Sequence, residues 1–189
     1  MTAAWPRSRH HYTYEEYLAL ERDSLVKNEY FAGEIYAMAG GSLRHSALAS
    51  RISGALEQAR REGCTAFQSD MRLRVLATGR AAHPDASMVR GPIELDPADP
   101  GGTTITNPTL LVEVLSPSTE EVDRSDKWRD YQRIASLQEY VLVSQDPRVE
   151  IYRRQSSGTW EYIDVREGSV TLATGATLDL SRLYADLPH

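Results

Sequence analysis

Cysteine is almost absent. Cys64 is the only one in 189 residues, which excludes an internal disulfide and any four-cysteine zinc cluster. Gly63 before it and Phe67 after it suit a packed thiol better than a reactive one. Lysine is nearly as scarce: 19 of the 21 basic residues are arginines, and only Lys27 and Lys127 are lysines. Long apolar runs are missing as well. A membrane span needs roughly 20 apolar residues in succession, and even Leu110–Leu115 is broken by Glu113. No apolar stretch follows Arg7, Arg9, His10 and His11, so the sequence predicts no secretory signal, no membrane association and a cytoplasmic location. Excess positive charge is lacking too, since the formal net charge is −6. That argues against a broad nucleic-acid-coating surface, but not against a local basic cleft.

The length fits one domain over residues 1–189, with residues 1–11 expected to be disordered. Thr13 and Glu16 form a capping-box pattern for a short amphipathic helix ending near Asp23. Glu29–Met38 reads as a hairpin turning at Gly33. Leu48, Ile52, Ala55, Leu56 and Ala59 recur at helical spacing within Leu43–Glu62, which Gly63 stops. Met71, Leu73 and Val75 alternate with Arg72 and Arg74, predicting a strand with one apolar and one basic face. A strand over Asp85–Val89 follows Pro84, and residues 91–107, rich in Pro, Gly and Asp, read as a surface loop. Leu110–Leu115 is apolar on both faces except at Glu113, as a covered central strand should be. Ser118 and Glu121 can cap a helix running to about Ile134. Strands at Tyr140–Ser144, Val149–Arg153, Trp160–Asp164 and Val170–Leu172 then predict an antiparallel ribbon extending the sheet.

Glu113 is the residue that needs a physical explanation. A carboxylate among Leu110, Leu111, Val112, Val114 and Leu115 must be protonated, paired or bound to a cation. Strand alternation places it on one face with Leu111 and Leu115. Asp85, on a neighbouring strand, can lie beside it. Two carboxylates and a backbone carbonyl such as that of Val114 make a hard oxygen site suited to Mg²⁺ or Mn²⁺. A structural network in which Glu113 pairs with an arginine or lysine explains the same residue. Asp123, Lys127 and Tyr131 are four apart, forming a helix stripe from which Lys127 can reach back over the strand end. An exposed Asp–Lys helix pair is the alternative.

Together, Pro84-Asp85, the run Leu111–Thr119 (Leu-Val-Glu-Val-Leu-Ser-Pro-Ser-Thr), Asp123, Lys127, Tyr131, Glu139-Tyr140 and Asp146-Pro147 resemble the Uma-two restriction-endonuclease group of the PD-(D/E)XK nuclease superfamily. The resemblance spans roughly residues 12–153. It implies an α/β fold, a mixed β-sheet flanked by helices of the restriction-endonuclease type, with the antiparallel C-terminal strands appended. It also implies Asp85 and Glu113 as metal ligands. Leu115 stands where the superfamily pattern has lysine, and Lys127 resembles the migrated lysine of this group. By the same resemblance Glu34, after the hairpin glycine, lies near the metal pair, as a third ligand or as an exposed turn residue. His45 shares the apolar stripe of its helix with Leu48 and Ile52, as a packed histidine or a proton carrier. Gln68 and Asp70 can line the same cleft.

A metal here would suit phosphodiester hydrolysis, with Asp85, Glu113, Lys127 and Glu34 as the catalytic set. Arg72, Arg74 and Arg80 could contact a DNA backbone, or simply form a solvated strand face. Tyr131, whose phenol titrates far above neutrality, suits a wall of the cleft rather than a base. The leading expectation is a metal-dependent DNA endonuclease acting as a homodimer, because cutting both strands calls for two sites. The alternatives are a non-catalytic binding or assembly protein retaining a nuclease fold, and a hydrolase of another phosphate ester. A basic rim wide enough for a duplex favours the nuclease, and a closed or acidic pocket favours the others.

Overall fold

A computed structural model describes residues 10–38 and 40–188 of the chain. The disorder expected of residues 1–11 falls, for residues 1–9, outside the described residues. Among the described residues, the His10 ring meets Tyr12 edge-on at 4.5 Å, and the His11 ring packs on Gly33. Helix α1 (Tyr14–Asp23) begins with the capping box expected, Thr13 accepting from Glu16 N and Glu16 accepting from Thr13 N. Strands β1 (Asn28–Phe31) and β2 (Glu34–Ala37) form a hairpin whose two-residue turn, Ala32–Gly33, has φ of 51° and 84°. Those positive values match a right-twisted hairpin, and glycine adopts one of them at no steric cost. Helix α2 (Leu43–Gln58) ends a turn before the Glu62 expected from periodicity.

The strands divide into two principal sheets where the sequence suggested one. The five-stranded sheet runs β2-β1-β5-β4-β7, with β4 (Arg72–Val75), β5 (Arg80–Ala82) and β7 (Thr104–Ile105). The six-stranded sheet runs β11-β10-β9-β8-β6-β3, formed by β3 (Cys64–Gln68), β6 (Ala86–Arg90), β8 (Leu110–Val114), β9 (Glu139–Val143), β10 (Val149–Arg154) and β11 (Trp160–Val165). Only β8 and β9 run parallel in it, joined by the helical crossover that parallel neighbours require. A ribbon of β12 (Ser169–Thr171) and β13 (Thr177–Asp179) stands apart as a third, two-stranded sheet before α5 (Leu180–Leu183), so it does not extend the larger sheet. Residues 91–107 are not merely a surface loop. They supply β7, whose Thr104 and Ile105 are fully buried.

Strand alternation distributes β8 between two cores. Leu110, Val112 and Val114 pack with Leu48, Ile52 and Leu56 of α2 and with Leu180 and Leu183 of α5. Leu111 and Leu115 pack on the other face with Leu73, Val75 and Ile105 of the smaller sheet and with Tyr131 and Tyr140. Cys64 is buried in the first core. Glu113, alternating with Leu111, therefore points toward the second face.

Candidate functional site

The site begins where β6 ends. β6 and β8 pair antiparallel with Ala86 opposite Val112, and continuing that register places Pro84 opposite Val114. Proline has no N–H to give, so the ladder stops there. The Asp85 carboxylate takes over: Val114 N donates to Asp85 Oδ2 at 2.7 Å. On the same oxygen, His45 Nε2 of α2 approaches to 3.3 Å. The Pro-Asp dipeptide thus spares the Val114 carbonyl from the sheet and brings a carboxylate beside it.

One residue before, the Glu113 side chain enters a buried ionic cluster. Lys127 Nζ lies 3.1 Å from Glu113 Oε1, 3.1 Å from Glu29 Oε1 and 3.0 Å from Asp123 Oδ1, and its side chain is only 6% exposed. Tyr131 donates its hydroxyl to the same Glu113 Oε1 at 3.0 Å, so neither of these donors uses Oε2. The contact with Asp123 Oδ1 has the distance of an ion pair but no hydrogen-bond direction, and among the described residues that buried oxygen accepts no hydrogen bond. Burial pushes the Glu113 carboxyl well up; the Lys127 ammonium opposes this, and the carboxylates of Asp123, Asp85 and Glu29 reinforce it. Burial would depress Lys127, but Glu113, Glu29 and Asp123 outweigh it and hold the amine well above the usual lysine range. Lys127 is therefore a fixed ammonium. Burial and Glu113 likewise push the Tyr131 phenol far up, keeping it a donor rather than a base.

Lys127 reaches this position through helical geometry that its spacing does not reveal. The crossover consists of α3 (Glu120–Val122), a π-helical turn over Asp123–Lys127 and α4 (Trp128–Tyr131). Its cap is Thr119, without a side-chain bond, in place of the Ser118–Glu121 cap expected. The wider π turn buries both Asp123 and Lys127, and such turns are frequent at functional sites.

Asp85, Glu113, Val114 and Lys127 all line one cavity of about 680 Å³, together with His45 and Glu29. Glu34 is not brought there: it sits on the outer hairpin strand and accepts from the Tyr36 hydroxyl. Glu29, on the inner strand, is the hairpin carboxylate that meets Lys127. The β1–β5 pairing that turns this strand inward joins segments some 50 residues apart, so no local pattern singles out Glu29. Asp70 pairs with Lys27 at 2.6 Å instead. Gln68 lines a second cavity, of about 780 Å³, which shares His45 and Asp85 with the first.

The arginines read as either DNA contacts or a solvated strand face are bound to the protein itself. Arg72 pairs with Asp99 at 3.2 Å, Arg80 with Asp130 at 2.6 Å, and Arg74 stacks 3.4 Å over the Tyr14 ring. The first cavity is acidic, since Glu29, Asp85, Glu113, Asp123 and Asp126 line it against Lys127 and Arg80. By the rim criterion above, that composition counts against direct binding of a duplex.

Residues 14–185 match the family model Uma2, described as "Putative restriction endonuclease". The chain belongs to the Uma2 family. Two Synechocystis proteins of strain PCC 6803 are similar to this Uma2 chain. "Uncharacterized protein slr1290" is 40% identical over 149 residues, 77% of this chain and 76% of that protein. "Uncharacterized protein sll1609" is 34% identical over 151 residues, 78% of this chain and 84% of that one. The fold is that of a crystal structure from Anabaena variabilis, titled a putative nuclease belonging to DUF820. The match has a TM-score of 0.71 at 20% identity and covers 90% of this chain and 96% of that one. The mixed α/β nuclease-like fold expected from sequence is therefore the one observed. Among the described residues no helix is long and apolar enough to cross a membrane.

Proposed function

We propose that this Uma2 protein is a metal-dependent endonuclease hydrolysing DNA phosphodiester bonds, with Mg²⁺ or Mn²⁺ held by Asp85, Glu113 and the Val114 carbonyl. The observation that carries this reading is that three carboxylates, Glu29, Glu113 and Asp123, share the single ammonium of Lys127, and one Asp123 oxygen accepts no hydrogen bond among the described residues. The donors are hard oxygens, which fit those cations. Acidity also sets the order of events, because a phosphodiester anion would be repelled from this recess until positive charge is added. A bound divalent cation would supply that charge and lower the pKa of an attacking water. The chain's own residues do the rest. Lys127 carries a permanent charge beside the reacting phosphate, Glu29 and Asp123 hold its amine in place, and Tyr131 fixes one oxygen of Glu113. Cleavage of both strands favours a homodimer, and the substrate calls for a cytoplasmic location.

The acidic lining of the cavity favours the alternative, a non-catalytic binding protein retaining the fold, and so do two further observations. Among the described residues no three His, Cys, Asp or Glu side chains stand together as a metal-ligating group, and Lys127 already compensates Glu113. The two readings are separated by calorimetric titration of Mn²⁺ into the native protein and Glu113→Gln. Both are then incubated with mixed-sequence supercoiled, linear and single-stranded DNA in Mg²⁺ or Mn²⁺. The nuclease reading expects the native protein to bind the ion and cut DNA, and the variant to lose both while circular dichroism stays unchanged. A native protein that binds no divalent ion at millimolar concentration and cuts no substrate belongs to the alternative.

A further inference from the structure

His45 has no place in the metal-ligand set above, yet its surroundings hold it in one position. It lies in the first turn of α2, where Ser42 Oγ accepts its backbone N–H at 3.1 Å. Its ring lies against Gly41: a Cβ on that residue would stand 2.7 Å from His45 Nδ1 and 3.1 Å from Cγ. The backbone of Gly41 therefore leaves room for the imidazole only because it carries no side chain. From there Nε2 lies 3.3 Å from Asp85 Oδ2, the oxygen that also accepts from Val114 N. Among the described residues no donor engages Asp85 Oδ1, and the side chain keeps 15% of its exposure. The imidazole thus touches one oxygen of the carboxylate and leaves the other open.

We propose that His45 is a positioning residue for the cation site: with Val114 N it fixes Asp85 Oδ2, so that Oδ1 is presented to the metal beside the Val114 carbonyl. The inference rests on the metal-dependent reading above. It assigns Gly41 a role as well, that of seating the ring. Partners that orient a ligating carboxylate typically account for about 10- to 100-fold in metal affinity, whereas a histidine that only packs accounts for none.

The test is Mn²⁺ affinity, measured by calorimetry on the full chain for the native protein, His45→Ala, His45→Gln and Gly41→Ala, with far-ultraviolet circular dichroism on each. His45→Ala is expected to bind Mn²⁺ about 10- to 100-fold more weakly. His45→Gln, whose amide can still donate to Asp85, should recover most of the loss. Gly41→Ala keeps the histidine but displaces its ring, so it should weaken binding too, and it tests the proposal even where His45→Ala fails to fold. Equal affinities in folded native protein, His45→Ala and Gly41→Ala overturn the positioning role and leave the metal site standing. A ¹⁴N coupling in the electron spin echo of bound Mn²⁺ that vanishes in His45→Ala overturns it in favour of direct ligation. A native protein that binds no Mn²⁺ overturns the metal reading itself, and this inference with it.

Discussion

Carboxylates in this protein differ mainly in what surrounds them. Glu113 is pushed up by burial, whereas Asp99 is held down because four groups donate to it. Burial alone would raise Asp99, but Thr104, Thr103, Gly101 and Arg72 outweigh it and lower the carboxyl from 3.8 to about 2. A carboxyl depressed on folding adds stability above its unfolded pKa and loses it as pH falls toward the folded one. The shift corresponds to about 2 kcal/mol, present above roughly pH 4 and lost between there and pH 2. Urea unfolding of native protein and Asp99→Asn at pH 5, 4, 3 and 2 should show the gap between them closing by about that amount. Stability curves that stay parallel across this range would rule out the linkage. Asp99 matters beyond itself, since through Arg72 it fastens residues 91–107 to β4.

Among the elements, the π turn decides whether Lys127 is a surface lysine or a buried one. A regular α-helix over Asp123–Tyr131 advances about 100° per residue, and the extra residue of the π turn shifts the α4 packing face relative to the buried Asp123–Lys127 pair. Deleting Ser125, which is exposed and sits within that turn, should restore regular winding and rotate one end of the crossover by about 100°. Lys127 or the α4 packing face then leaves its place. Breaking a buried ion pair in this way costs about 3–5 kcal/mol, a melting-temperature loss on the order of 10 °C for a chain of this size. Calorimetric melting checks it. An unchanged midpoint would mean that the chain absorbs the deletion elsewhere and that the π turn does not position Lys127.

At the scale of the molecule, the two large sheets share a core, and the cleft lies where the hairpin of one approaches the end of β8 in the other. This arrangement closes the recess around Glu113 and leaves it acidic, so divalent cations should precede DNA. An acidic chain whose proposed site is recessed also makes the proposed homodimer a question of how two such recesses face a duplex. Light scattering at micromolar concentration, with and without DNA and Mg²⁺, is expected to give twice the chain mass in at least the DNA-bound state. A monomer in every condition would remove the dimer.

Local chemistry determined much of this protein before any long-range contact formed. The capping box of α1, the burial of β8 around a lone glutamate and the interruption of β6 at Pro84 are all properties of residues a few positions apart. For that reason Glu113 stood out in the sequence as a residue needing compensation, whereas Asp85 and Lys127 joined it only through the family resemblance. Tertiary structure alone decided that Glu29 rather than Glu34 meets Lys127, because the choice depends on which hairpin strand pairs with β5. It also decided that Arg72 and Arg80 serve Asp99 and Asp130, partners 27 and 50 residues away. Alternation puts Arg72 on one strand face with Arg74, but a strand pattern is the same whether that face meets water or a buried acid. The π turn escaped for a related reason: residues four apart suit an α-helix, and the extra width appears only when the cores on both sides claim their side chains.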